Sequence, residues 1–174
     1  MQLLTRMGLA FTLLLPTVAL AQNESVYSSL KTSDCQTTEF SDEGAGSYLG
    51  KCQGVAGFAL EIEEGDIRQT INVISPSGKI FELDFARVSG AFSSVGEKAE
   101  WRMNKGIPVA LIVRFSFSQS AEKPEVTTSY LIVSKISKTE ACITDVVKPS
   151  KDQNAQARKL ADEAAQKTCK TFLN

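Results

Sequence analysis

The chain has 174 residues, 43% of them hydrophobic, with 19 basic against 20 acidic side chains and no histidine. That charge balance excludes the usual nucleic-acid binder, which needs a clustered basic surface to displace counterions. The missing imidazole excludes Ser-His-Asp and Cys-His catalysis, weakens any metal site, and leaves no cofactor or metal expected.

The N-terminus reads MQLLTRMGLAFTLLLPTVALAQ: one cation, Arg6, an apolar run from Met7 to Leu15, and a small-residue site at Ala19-Leu20-Ala21. This pattern predicts a secretory signal peptide over residues 1–21, cleaved after Ala21. The run is too short for about 30 Å of hydrocarbon and Pro16 interrupts it, so no stable membrane anchor is expected. The first cysteine is Cys35, far beyond the cleavage site, which removes lipid attachment there. The chain beyond Ala21 has the length of one domain with one core.

Residues 22–46 are polar and turn-rich, with Tyr27 and Leu30 as apolar anchors, and are expected to form an irregular arm. Residues 47–174 are expected to form a single disulfide-braced β-rich domain ending in a helix. In GFALEIEE, Phe58, Leu60 and Ile62 alternate with Ala59, Glu61 and Glu63, the signature of a strand with one buried face. EGD at 64–66 signals a turn, and IRQTINVI alternates again, so the two runs read as a hairpin. KIFELDF places Phe81, Leu83 and Phe85 together. A glycine and serine loop at 89–96 then precedes a short strand, EWRM. VALIVRFSF is almost continuously apolar at its start, as expected of a central strand covered on both faces. VTTSYLIVSKIS and ACITDVV complete about seven strands.

The segment KPSKDQNAQARKLADEAAQKTCKTF predicts the C-terminal helix. Ser150 and Gln153 fit a capping box, and Ala157, Leu160, Ala161, Ala164, Thr168 and Phe172 share one side. The whole is α+β: a curved antiparallel sheet or partly open barrel of about seven strands, with the helix packed on it.

Four cysteines in an exported chain imply two disulfides. Of the three connectivities, Cys35 with Cys52 and Cys142 with Cys169 each close a short loop within one half of the chain. No CxxC spacing points to a metal instead.

Gly44, Gly46 and Gly50 mimic a phosphate-binding fingerprint. They lack the preceding strand and following helix that such a site needs, and read as turn chemistry. Glu61, Glu63, Glu64 and Asp66 could hold a cation or supply paired carboxylates, but alternation makes them the solvent side and turn of one strand. Trp101, flanked by Glu100 and Arg102, is either core or, with Arg102, a partner contact. Phe92, in the glycine and serine loop, is a second candidate contact.

The stretches YLGKCQGVAGFALEIEEGDIR, EWRMNKGIPVALIVRF and ACITDVVKPSKDQNAQARKLADEAAQKTC together resemble a group of small exported proteins of alphaproteobacteria. The resemblance covers most of the chain after the signal. It implies a periplasmic location and paired cysteines, and carries no mechanism, cofactor or catalytic residue. The expected function is non-catalytic: binding another envelope component or protein, for which inhibition of a cell-wall hydrolase such as lysozyme is a concrete version. The alternative is a small ligand held inside the curved sheet, lined by Phe81, Phe85 and Phe115.

Overall fold

The structure, a computed structural model, describes residues 23–172. The predicted signal peptide, residues 1–21, lies outside them. Ten strands and one α-helix follow in chain order: β1 Glu24–Ser29, β2 Gln36–Ser41, β3 Ser47–Gln53, β4 Ala59–Gly65, β5 Arg68–Ile74, β6 Ile80–Glu82, β7 Ser93–Asn104, β8 Ile107–Ser118, β9 Thr127–Ile136, β10 Ala141–Val147 and α1 Gln153–Asp162. The order across the sheet is β10-β9-β8-β7-β5-β4-β3-β2, with β1 added on β7 and β6 on β5. The sheet is curved and open: its end strands are β10 and β2, and the parallel junction of β5 with β7 rests on one pair, Arg68 with Ser93.

The seven strands read from the sequence correspond to β4 through β10, and the count is ten because three more lie N-terminal to them. The arm expected to be irregular over residues 22–46 carries β1 and β2. β1 runs antiparallel to β7, setting Ser25 opposite Arg102 and Val26 opposite Trp101, and β2 pairs with β3. The glycine and serine loop also straightens from Ser93 onward, so EWRM is the end of a twelve-residue strand. Both expected disulfides are present, Cys35–Cys52 with Cα atoms 4.3 Å apart and Cys142–Cys169 at 5.7 Å.

The alternation of the strands builds the core. Leu60, Ile62, Ile71 and Val73 of β4 and β5 face Trp101, Leu111, Val113, Phe115 and Ile132 of β7 to β9 in one cluster. The other face of β8 and β9 carries Ala110, Ile112, Leu131 and Val133, which with Val147 take the alanine stripe Ala157, Ala161 and Ala164. Burial on both faces explains the continuous apolar run in β8. Alanine lets the helix approach the sheet closely, as the narrow stripe predicts.

The helix is shorter than its sequence suggests. It stops at Asp162, a single 3-10 turn covers Ala164–Gln166, and the tail turns onto β10, where Lys170 N–H donates to the Ile143 carbonyl at 2.7 Å. Thr168 and Phe172 therefore lie off the helical stripe. The expected capping box does not form: Asp152 is the N-cap residue. Gln153 instead turns into the sheet and donates from Nε2 to the carbonyls of Ser129 (3.0 Å) and Val147 (3.1 Å).

Two further polar pins lie along the helix. Arg158 donates to Glu100 at 2.6 Å and to the Tyr27 hydroxyl at 3.0 Å. Asp162 accepts both prongs of Arg102, Nε at 2.8 Å and Nη2 at 2.9 Å. Among the described residues no helix is long and apolar enough to cross a membrane.

Candidate functional site

Trp101, Arg102 and Phe92 are the candidate partner contacts of the sequence; burial places Trp101 in the core, the other reading of that position, and corrects Arg102 as a contact. Trp101 is wholly buried, tilted against Phe58 at 6.2 Å between centroids, and its Nε1–H donates to Ser28 Oγ at 2.8 Å. An indole with its one donor satisfied inside the core offers a partner nothing. Arg102, 4% exposed, is spent on Asp162, on the Asn23 carbonyl at 2.6 Å and on Ser25 Oγ. It points to the helix side of β7, opposite Trp101, as alternation requires.

Phe92 is half-buried beneath the Arg68 guanidinium, 4.8 Å from its ring centroid. The two line a cavity of about 240 Å³ with Ala91, Ser118, Gln119, Ser120 and Ala121. The interior offered as the alternative ligand site holds its own rings: Phe85 and Phe115 are wholly buried and meet edge to face at 5.0 Å. Phe81 is half-buried with the Lys79 ammonium over its ring.

The largest concentration of unspent chemistry lies on the outer face of the β2–β6 half of the sheet. Register sets Glu61 of β4 beside Asn72 of β5, and Asn72 beside Glu82 of β6. The adjacent row runs from Glu39 of β2 through Leu49 of β3 to Glu63 of β4. These side chains line a groove of about 320 Å³ whose wall holds five carboxylates: Glu39, Glu61, Glu63 and Glu82 from the outer face, and Glu64, which alternation turns the other way and which accepts from Gln69. Among the described residues, none of the five pairs with a lysine or arginine within 4.0 Å, although nine other such contacts do form.

Asn72 organises the groove. It is 4% exposed, and its Nδ2 donates to Glu61 Oε1 at 3.1 Å and to Glu63 Oε2 at 3.2 Å. Its Oδ1 is buried with no hydrogen-bond partner. Alternation made Glu61 and Glu63 legible as a solvent face. Glu39, Asn72 and Glu82 come from three other strands, and register alone brings them together. Asp66, read with the same acidic run, sits in the β4–β5 turn and pairs with Arg68.

One set of metal-ligating groups gathers elsewhere, Glu140 with Cys142 and Cys169, with ligand atoms within 4.8 Å of one another. Both sulfurs are joined in the disulfide, which leaves no thiolate to bind an ion. At the helix side, burial works against the Glu100 carboxylate, but hydrogen bonds from Arg158 and Ser25 outweigh it and hold its pKa below the ordinary glutamate value. The same bond from Glu100 raises the Arg158 pKa, so that pair is an ionised structural clamp. No family model matches the chain, and no curated protein or solved structure matches it either.

Proposed function

We propose that the chain, after loss of residues 1–21, is a non-catalytic periplasmic protein of the exported alphaproteobacterial kind it resembles, and that it binds a basic envelope protein. The observation that carries this reading is the groove, lined by five carboxylates that among the described residues have no lysine or arginine within 4.0 Å, with Glu39, Glu61, Glu63 and Glu82 on the outer sheet face. An acidic surface of this kind steers and selects a partner of opposite charge. A cell-wall hydrolase of the lysozyme type, rich in surface lysine and arginine, has that charge. The non-catalytic reading rests on the histidine-free sequence. The two disulfides fit an oxidising compartment.

The test is binding of a basic lysozyme to the mature protein at low and at physiological salt, with peptidoglycan hydrolysis followed alongside. Affinity is expected to fall as salt rises. The triple variant Glu61→Gln, Glu63→Gln, Glu82→Gln should lose about tenfold, since one half-buried and two exposed charges on a solvent-facing wall each contribute under about 1 kcal/mol. Equal binding by parent and triple variant would remove the groove from the interface. Small-ligand binding is the second reading. The observation favouring it is the cavity beside Phe92, and Phe92→Ala, which strips its aromatic wall, should leave lysozyme binding unchanged.

A further inference from the structure

We infer that the groove contains a socket for one cationic side chain, a lysine ammonium or an arginine guanidinium of the protein partner, centred on Asn72. This rests on the function proposed above and narrows it from a charged surface to a site with a defined hydrogen-bond polarity.

The direction of the Asn72 amide sets that polarity. Its neighbours at 3.1 and 3.2 Å are the carboxylates of Glu61 and Glu63, which when ionised can only accept hydrogen bonds. The amide nitrogen must therefore be the atom turned to them, and both its hydrogens are used. What is left is Oδ1, a buried acceptor without a partner, on a side chain that is 4% exposed and lines the groove. Buried acceptors are rarely left in that state in folded proteins. Across the register from Asn72 stands Glu82, again an acceptor. The polar atoms nearest Asn72 Oδ1 across the register are thus acceptors; Lys51 stands across from Glu61 on β3 without pairing to it within 4.0 Å, and the Ser47 and Tyr48 hydroxyls lie farther along the groove on β3.

Such a surface has two complements, a bare metal ion or a group carrying several donors and no acceptor. The metal is disfavoured by spacing: among the described residues the groove carboxylates do not converge to within 4.8 Å as a set of three, whereas Glu140, Cys142 and Cys169 do. A side-chain ammonium offers three donors and a guanidinium five, with no acceptor to clash with the walls. Either reaches acceptors set too far apart for one small ion. The volume, about 320 Å³, suits the end of a long side chain. The acceptors sit on three hydrogen-bonded strands, and Asn72 already holds two of the carboxylates, so little ordering is needed on binding.

The test uses the mature protein with both disulfides intact. Its amide spectrum is followed during titration with an acetylated, amidated heptapeptide containing one lysine, with arginine and norleucine versions beside it. Affinity for a basic lysozyme is measured for the parent, Asn72→Leu and Glu63→Gln. The Asn72 side-chain amide resonances should shift with the lysine or arginine peptide and stay in place with norleucine. Asn72→Leu should bind lysozyme about tenfold more weakly although net charge is unchanged, and the surface variant Glu63→Gln several-fold more weakly. Because Glu63 is exposed, that variant reads the site even if Asn72→Leu folds poorly.

Lysozyme binding the parent and both variants equally would overturn the socket and leave the proposed function standing. Peptide-induced shifts at Asn72 without any lysozyme binding would sustain the socket and overturn the hydrolase partner. Spermidine binding more tightly than either peptide or lysozyme would overturn the assignment to a protein side chain.

Discussion

Replacing Asp162 by alanine should cost about 2–3 kcal/mol. The Arg102 side chain is 5% exposed, and Asp162 supplies two of its hydrogen bonds, at 2.8 and 2.9 Å. Removing one partner of a buried pair typically costs about 3–5 kcal/mol, because the other charge stays behind uncompensated. Three features reduce that figure. The Asp162 side chain is 30% exposed, so part of its interaction is screened. Glu100 lies 4.0 Å from Arg102 Nη1, and the Asn23 carbonyl and Ser25 still accept. Finally, Asp162 is the last residue of α1, where a carboxylate opposes the helix dipole, and its removal recovers about 0.3–1 kcal/mol. The remainder corresponds to a melting temperature lower by roughly 5–10 °C for a domain of this size. Thermal unfolding followed by circular dichroism measures it, and hydrogen exchange locates it. Because Arg102 also holds Asn23 and Ser25, the amides of β1 should exchange faster in the variant. The double variant Arg102→Met with Asp162→Leu, which removes both charges, should recover most of the loss. A melting temperature for Asp162→Ala within about 1 °C of the parent, beyond any plausible screening, would refute this account of the clamp.

Gly54→Ala should destabilise by about 1–3 kcal/mol through overpacking, with a change in the near-ultraviolet signal of the one tryptophan. A Cβ there would stand 2.6 Å from the Phe58 carbonyl oxygen, a backbone atom, and 2.9 Å from the buried Trp101 ring. An unchanged melting temperature would refute the clash. Glu100 governs an acid limb. Its carboxyl pKa is lowered on folding from the ordinary 4.5, so the folded state binds fewer protons than the unfolded one. Its contribution is complete above that value and is lost as pH falls through the lowered folded value. Glu100→Gln should flatten the decline in stability below pH 4.5, and a parent and variant with parallel acid limbs would exclude this role.

How much of this was legible depended on whether a residue's environment was set by its neighbours in sequence. β4 and β5 alternate because one face of each is buried, and β8 runs apolar because both are, so local pattern reported them faithfully. β1 and β2 carry ESVYSS and QTTEFS, mostly half-exposed or exposed, and β1 finds its partner in β7, where Ser25 meets Arg102. No local periodicity announces such a strand. Helix propensity continues past Asp162, but the Cys142–Cys169 bridge and the bond from Lys170 to Ile143 hold the tail on β10. Gln153 fits a cap by spacing, yet two sheet carbonyls claim its amide. Trp101 and Arg102 show the same limit: alternation puts them on opposite faces, and only the helix laid over one face reveals that both are buried.

That helix also explains where the groove can be. Ten residues make a rod of about 15 Å, enough to cross roughly three strands at about 4.8 Å each. It covers the outer apolar face of β8 and β9, and the outer face of β3 to β6 has no such cover. Lacking it, that half of the sheet must be polar outside, which Lys51, Glu61, Glu63, Thr70, Asn72 and Glu82 provide. Polarity alone would be satisfied by mixed charges. Adjacent like charges on a sheet are destabilising, and asparagine is a poor strand former. A face that gathers Glu39, Glu61, Glu63 and Glu82 around a buried asparagine, with Lys51 across the register from Glu61, therefore carries a cost that Asn72 offsets only in part, by bridging Glu61 and Glu63. On the proposed function, the partner's positive charge removes the rest on binding, which is why the variant that neutralises these glutamates should gain stability as it loses affinity.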